Sequence, residues 1–183
     1  MEHAEGYLEI ILGPMFSGKT TALIQQYKKY TYIGKRVVVI NYQGDTRYHD
    51  SLLSTHDKIM IPCIFSDNLA AVNVGEKDVI LINEGQFFSD IFEKVIEWVD
   101  AYKKTVIICG LDGDFQRNKF GRLLDLIPYC NDVIKLNSLC ALCRNGKSGI
   151  FSHRVSNEKS QIVIGADNYI PLCRQCYLHE NSV

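Results

Sequence analysis

The stretch Gly13-Pro14-Met15-Phe16-Ser17-Gly18-Lys19-Thr20 constrains the fold of this 183-residue chain more than any other. Two glycines five apart, then lysine and a hydroxyl residue, form a loop whose backbone N–H groups can cradle phosphate. The pattern carries weight only between a strand and a helix. Tyr7-Leu8-Glu9-Ile10-Ile11-Leu12 ahead of it reads as an apolar strand, and Thr21-Ala22-Leu23-Ile24-Gln25-Gln26-Tyr27 behind it as the start of a helix. In that setting the helix N-terminus faces the anion, Lys19 adds a point charge, and the Thr20 hydroxyl can ligate Mg²⁺.

A hydrophobic content of 46% without low-complexity segments fits one α/β domain with a small annex. The division falls at 137/138, giving a nucleotide-binding part over 1–137 and a second part over 138–183. A net charge of −1 offers no electrostatic footprint for a nucleic-acid backbone, so no nucleic-acid partner is expected. Met1 to Gly6 lacks a basic region followed by an apolar core, and no apolar run reaches the roughly 18 residues of a membrane span. The expectation is a soluble, cytoplasmic protein with no membrane partner.

Along the chain, strand and helix signals alternate as a parallel sheet requires. Gly34 stands where a helix-terminating glycine belongs, and Arg36 to Tyr42 is a β-branched run suited to a strand buried on both faces. The polar segment Gln43 to Asp50 follows at the carboxyl end of that strand, where open α/β sheets collect ligands. Lys58 to Phe65 reads as an edge strand interrupted by Pro62, and Asp67 to Val74 as a short helix. Asp78 to Ile82 is another strand, ending in Asn83-Glu84; a carboxylate there is placed to reach a metal or an attacking nucleophile. A helix capped by Ser89 runs to about Lys103, with Ile91, Phe92, Val95, Ile96 and Val99 on one face. Thr105 to Leu111 is a further buried strand, its loop carries Phe115 and Phe120, and Val133 to Leu136 closes the sheet.

Of the seven cysteines, Cys63, Cys109 and Cys130 stand singly among apolar neighbours and read as packed thiols. The other four form two C-x-x-C pairs, Cys140/Cys143 and Cys173/Cys176. Four thiolates bind zinc tetrahedrally and leave no open position, so the zinc is structural. Redox pairs or packed thiols are the alternatives. Between the pairs, Ile150 to Val155 and Gln161 to Ile164 read as two strands joined by the turn Ser156 to Ser160.

These motifs, taken with Asp45-Thr46-Arg47-Tyr48, Thr55-His56-Asp57, Glu84-Gly85-Gln86-Phe87-Phe88 and Leu111-Asp112-Gly113-x-Phe115-Gln116-Arg117, resemble the cytosolic, or type II, thymidine kinases of cells and large DNA viruses. The resemblance covers nearly the whole chain. It implies a RecA-like parallel sheet flanked by helices, with a C-terminal zinc-ribbon lasso closing over thymidine, assembled as a homotetramer. It implies ATP in the loop Gly13 to Thr20, with Asp45, Thr46, Arg47, Asn83, Gly85 and Gln86 beside the nucleotide, and Glu84 as catalytic base. Phe115 matches the aromatic against the thymine ring, Met15, Phe87, Leu111 and Phe120 match pocket walls, and Ser160, Gln161, Ile162, Val163, Ile164 and Tyr169 match the segment that holds the nucleoside. Apolar side chains can sandwich a methylated base while lasso backbone groups pair with its edge.

Two positions depart from the family pattern. Most relatives carry aspartate before the glutamate, where this chain has Asn83, which keeps an oxygen but removes a negative charge. Animal-type members carry two adjacent glycines near the end of the lasso, where Ile164-Gly165 offers one, as bacterial-type members do. A kinase of deoxyuridine or deoxycytidine on the same scaffold, and a non-catalytic ATP- and zinc-binding module, remain as alternatives.

Overall fold

The computed structural model describes residues 5–44, 52–54, 58–163, 165 and 168–181. The strands of the first part are β1 (Tyr7–Gly13), β2 (Val37–Tyr42), β3 (Leu52–Ser54), β4 (Met60–Pro62), β5 (Ile64–Ser66), β6 (Val79–Ile82), β7 (Thr105–Leu111) and β8 (Asp132–Lys135). Six of them form one sheet in the order β5-β2-β6-β7-β1-β8, every pair parallel. All six therefore end at the same edge, which is where such sheets collect ligands.

The period-2 alternation of these strands sends side chains to two faces. Leu8, Ile10, Ile40, Ile80, Ile82, Val106 and Ile108 meet Phe88, Ile91, Val95, Trp98, Leu123 and Leu126 on one face. Ile11, Val39, Val79, Leu81 and Ile107 meet Leu23 and Ile24 of helix α1 (Lys19–Tyr32), with Leu53 and Ile61, on the other. Both faces are covered, which is why the strands read as continuous apolar runs. Fully burying one such aliphatic side chain contributes about 1.5–3 kcal/mol.

α1 ends as its glycine predicts. Gly34 has φ +76°, and the N–H groups of Gly34 and Lys35 return to the carbonyls of Thr31 and Tyr30, satisfying the last turn. The second helix differs from expectation. α2 (Ile91–Ile96) has Asp90, not Ser89, at its N-cap, and widens into a π turn over Glu97–Ala101. The Asp90 carboxylate faces away from its own helix, accepting the N–H groups of Leu69 (3.1 Å) and Ala70 (2.9 Å) in the short 3₁₀ turn Leu69–Ala71. That turn is all the helix found between Asp67 and Val74. The expected edge strand over Lys58 to Phe65 is two strands: β4 pairs antiparallel with β3, and only β5, beyond Pro62, joins the sheet beside β2. Cys109 is buried, whereas Cys63 and Cys130 are half-buried.

The second part contains β9 (Ser138–Leu139), β10 (Ser148–Gly149), β11 (Phe151–Arg154), β12 (Tyr169–Leu172) and α3 (Arg174–Glu180) around a small core of Cys140, Leu172, Cys173 and Tyr177. β9 pairs with β10 and β11 with β12, both antiparallel. The partner of β11 is thus Tyr169–Leu172 and not the expected Gln161 to Ile164. The carbonyls of Ser160 and Gln161, which a ladder would use, turn to the Arg154 guanidinium instead. Among the described residues, no helix is long and apolar enough to cross a membrane.

Candidate active site

The loop Gly13 to Thr20 joins the carboxyl end of β1 to the N-terminus of α1. Gly18 sits at the N-cap with φ +82°, a conformation that costs glycine little and lets the N–H groups of the first turn point outward. Lys19 is 8% exposed and its Nζ donates to the Pro14 carbonyl at 2.7 Å; the Ser17 hydroxyl donates to the same oxygen at 2.9 Å. The lysine thus lies across the mouth of the loop, where a phosphate oxygen would compete with a neutral carbonyl for its charge.

Two strands away, β6 delivers Asn83 and Glu84 to the same edge. The Asn83 Oδ1 accepts from the Thr20 hydroxyl (3.4 Å) and from the Cys109 thiol (3.0 Å), while its Nδ2 donates to Asn41 Oδ1 (2.8 Å). Thr20 and Asn83 therefore bring two uncharged oxygens together beside the phosphate loop, a donor set suited to a hard cation or its waters. Asp112, at the end of β7, is held by Lys135 at 2.8 Å.

Glu84 is 7% exposed and has φ +56° and ψ +45°. A non-glycine residue in this left-handed region stores on the order of 1–3 kcal/mol of strain, which points to a functional demand on its direction. Its Oε2 accepts from Gln86 Nε2 at 2.6 Å, and Gln86 Oε1 accepts from the backbone N–H of Leu111 at 3.1 Å. Only the oxygen of an amide can accept that N–H, so the Leu111 contact fixes which end of Gln86 meets the carboxylate. Gly121 makes room for this arrangement: at φ +61°, a Cβ there would lie 2.2 Å from the Gln86 carbonyl oxygen.

Glu84 opens onto a cleft at the sheet edge. Met15, Phe87, Leu111, Phe115 and Phe120 line it, and so do Gln161, Ile162, Val163 and Tyr169 from the second part. Phe87 stacks on Tyr42 (centroids 4.8 Å, planes 23° apart) and meets Phe120 edge-on at 5.3 Å, giving the cleft an aromatic wall. Ser160 lies outside the lining, its hydroxyl donating to the Ile162 carbonyl at 3.1 Å. Gly85 is buried against the sheet, and Gln86 lies on the cleft side. Asp45, Thr46, Arg47, Thr55, His56, Asp57 and Ile164 lie outside the described residues.

Besides Gly44, Gly113 and Gly165, three residues with side chains line the cleft that the sequence motifs do not assign to it: Tyr42, Asp114 and Ser152. Tyr42 closes β2 as an aromatic at a ligand-bearing strand end, a signal that could have found it. Asp114 gives one carboxylate oxygen to the N–H groups of Gln116 (2.9 Å) and Asn118 (2.8 Å) and the other to Gln161 Nε2 (2.8 Å). Ser152, on β11, accepts the Met15 N–H at 2.9 Å and so ties the second part to the phosphate loop. Serine in a short strand gives no such warning.

The four cysteines of the two C-x-x-C pairs come together, with all sulfurs within 4.8 Å of one another. Cys143 Sγ lies 3.7 Å from Cys173 and 3.4 Å from Cys176. A tetrahedral metal with bonds of about 2.3 Å needs sulfur separations of about 3.8 Å, so the cluster can hold a metal ion. Burial opposes ionisation of Cys140, but the backbone N–H groups of Cys143, Cys173 and Leu142 outweigh it and bring the thiol down to about 6. The N–H of Cys176 likewise holds Cys173 below its ordinary value. Hydrogen bonds to Cys143 and Cys173 push the Cys176 thiol up to about 12, and Cys143 is raised too, its bond to Cys176 lowering it less than those to Cys140 and Cys173 raise it, so without a metal the thiolate form is favoured at Cys140 and Cys173 alone.

A family model described as thymidine kinase matches residues 6–177. A thymidine kinase of Yaba monkey tumor virus is 41% identical over the full length of both chains. A rice (Oryza sativa subsp. japonica) thymidine kinase is 41% identical over 94% of this chain and 66% of its own length. The cytosolic thymidine kinase of Cricetulus griseus is 40% identical over 97% of this chain and 76% of its own.

Proposed function

Since the chain belongs to the thymidine kinase family, we infer that it transfers the γ-phosphoryl group of ATP to the 5′-hydroxyl of thymidine, giving dTMP and ADP. One observation carries this reading. A strained, buried carboxylate, Glu84, stands where the sheet edge that carries the glycine-rich loop meets an aromatic-walled cleft.

The loop Gly13 to Thr20 takes the ATP phosphates, with Asp45, Thr46, Arg47, Asn83, Gly85 and Gln86 beside the nucleotide. Glu84 accepts the 5′-hydroxyl proton as the oxygen lone pair bonds to the γ-phosphorus; the bond to the bridging oxygen breaks, and ADP leaves with those electrons. Lys19 moves from the Pro14 carbonyl to the phosphates and offsets charge on the transferring group. Mg²⁺ bound with ATP supplies further charge neutralisation there, and Thr20 and Asn83 are the residues suited to its shell. The thymine ring lies against Phe115 within walls of Met15, Phe87, Leu111 and Phe120. Backbone groups of Ser160, Gln161, Ile162, Val163 and Ile164, together with Tyr169, hold its edge. Cytosine presents the opposite donor and acceptor pattern and leaves those groups unpaired.

Zinc in the Cys140, Cys143, Cys173, Cys176 cluster anchors the lasso as a unit, 138–183, distinct from the ATP-binding unit 1–137. The separate small core around Leu172 and Tyr177 supports this division. A homotetramer in the cytoplasm, without a nucleic-acid partner, completes the reading.

The test is ADP release from ATP with thymidine, deoxyuridine, deoxycytidine or deoxyguanosine side by side. Release driven foremost by thymidine is expected. Preference for another deoxynucleoside would reassign the substrate, and release by none would leave a binding module.

A further inference from the structure

The segment between β11 and β12 contributes much of one cleft wall, yet its described residues form no strand or helix, so its shape must be fixed by other means. Its inward-facing carbonyls converge on one side chain. Arg154, the last residue of β11, is 6% exposed and is not among the residues lining the cleft. Its Nη1 donates to the Glu158 carbonyl (2.9 Å) and to the Ser160 carbonyl, and its Nη2 to the Gln161 carbonyl (3.0 Å) and the Tyr169 hydroxyl. Tyr169 passes the contact on, donating to the Val163 carbonyl at 3.1 Å.

The guanidinium plane has a second task. It lies over the Phe115 ring at 3.8 Å, so the arginine touches both the lasso and the aromatic of the opposite wall. A second tie closes the circuit: Gln161, whose carbonyl Arg154 holds, donates its side-chain amide to Asp114, the neighbour of Phe115. Among the described residues no carboxylate forms an ion pair with Arg154; carbonyls, a phenol and an aromatic face surround its charge. A planar fork with five donors can serve several carbonyls at once and still stack on a ring, which an ammonium group cannot do.

We propose that Arg154 is the positioning residue of the nucleoside site: it folds the lasso into its substrate-holding shape and locks that shape to Phe115. The proposal rests on the reading of the cleft as the thymidine site. Without the guanidinium, the lasso carbonyls turn to water and the segment must be ordered at each binding event, so the loss falls on thymidine affinity and not on the phosphoryl step.

Two readouts test this on the metal-loaded protein, one of them independent of activity. Arg154→Met keeps the apolar stem and removes the fork; it should raise the thymidine KM about tenfold or more, leaving kcat and the ATP KM within about threefold. Arg154→Lys, with charge but no fork, should recover only part of the loss. Glutamate-specific proteolysis should cut Arg154→Met after Glu158 faster than it cuts the parent protein, and unchanged metal content would show that the cysteine cluster is intact. An unchanged thymidine KM, a fall confined to kcat, or equal resistance at Glu158 would overturn the proposal. If Arg154→Met fails to fold, a thymidine KM in Arg154→Lys equal to the parent's would overturn it as well. A parent protein that does not phosphorylate thymidine, with Glu158 protected in an Arg154-dependent way, would overturn the substrate assignment and leave the lasso contact standing.

Discussion

At the scale of single residues, Glu84 is the position where local preference yields most plainly to function. A glutamate gains nothing from φ +56°, and the strain is held by a buried frame in which Gln86 bridges Glu84 and the Leu111 N–H. Glutamine at 84 can still accept from Gln86 through its amide oxygen, so Glu84→Gln should preserve the frame and remove only the base. A drop in kcat of about two to four decades is expected, with both KM values near those of the parent. Turnover close to normal in a steady-state assay would end the assignment of Glu84 as base. Asn83 is the other informative residue. It faces Thr20 at 3.4 Å, and an aspartate there would add a negative charge beside the site suited to Mg²⁺. Unit charges about 4 Å apart at an effective dielectric near 20 attract by about 4 kcal/mol before desolvation, so a net gain of order 1 kcal/mol, roughly fivefold in affinity, is reasonable. Asn41 now accepts from Asn83 Nδ2, and turning its amide over would give the new carboxylate a donor. Asn83→Asp should therefore lower the Mg²⁺ concentration for half-maximal rate at saturating ATP and thymidine, with little change in thymidine KM. A half-saturation point that stays the same or rises would show that position 83 does not act on the metal.

Elements were legible in the sequence wherever a period carried them. The parallel strands are apolar on both faces, so β1, β2, β6 and β7 announce themselves as runs, and the phosphate loop follows β1 because glycine, lysine and threonine have strict places there. What stayed hidden depends on partners far away in the chain. Ser89 looks like a helix cap, yet the helix begins after Asp90, whose carboxylate is spent on N–H groups 20 and 21 residues earlier. Gln161 to Ile164 has the composition of a strand, but β11 already pairs with Tyr169–Leu172, and Arg154 takes the lasso carbonyls. Within the site, the aromatic and apolar walls could be read from their loops, since exposed aromatics at strand ends need cover. Asp114 and Arg154 could not, because nothing local distinguishes an aspartate that holds a glutamine 47 residues on, or an arginine that holds its own loop, from solvated surface charges.

The whole molecule combines two cores of unequal size. The first, around the six-stranded sheet, contains the only tryptophan in the sequence, Trp98, 3% exposed. The second is a handful of residues around Leu172 and Tyr177, too small to fold on apolar burial alone, and the four cysteines lie within and against it. Several contacts between the parts are directed at the site: Ser152 accepts the Met15 N–H, the Tyr177 hydroxyl donates to the Phe115 carbonyl at 2.6 Å, and Arg117 lies 4.9 Å from the centre of the Tyr177 ring. Metal binding to such a small unit is largely its folding free energy, whereas the sheet does not draw on it. Removing the metal with a chelator, or substituting Cys143→Ser, should therefore loosen the second part and leave the first folded. Thymidine KM should rise about tenfold or more, because Phe115 loses its anchor and the lasso its base, while ATP still binds the phosphate loop. Trp98 reports on the sheet core alone, so its emission should stay blue-shifted through metal loss and move to the red only at a later thermal transition. A red shift that coincides with metal release would mean that the two cores unfold as one, and thymidine affinity unchanged in the metal-free protein would mean that the cysteine cluster does not hold the lasso.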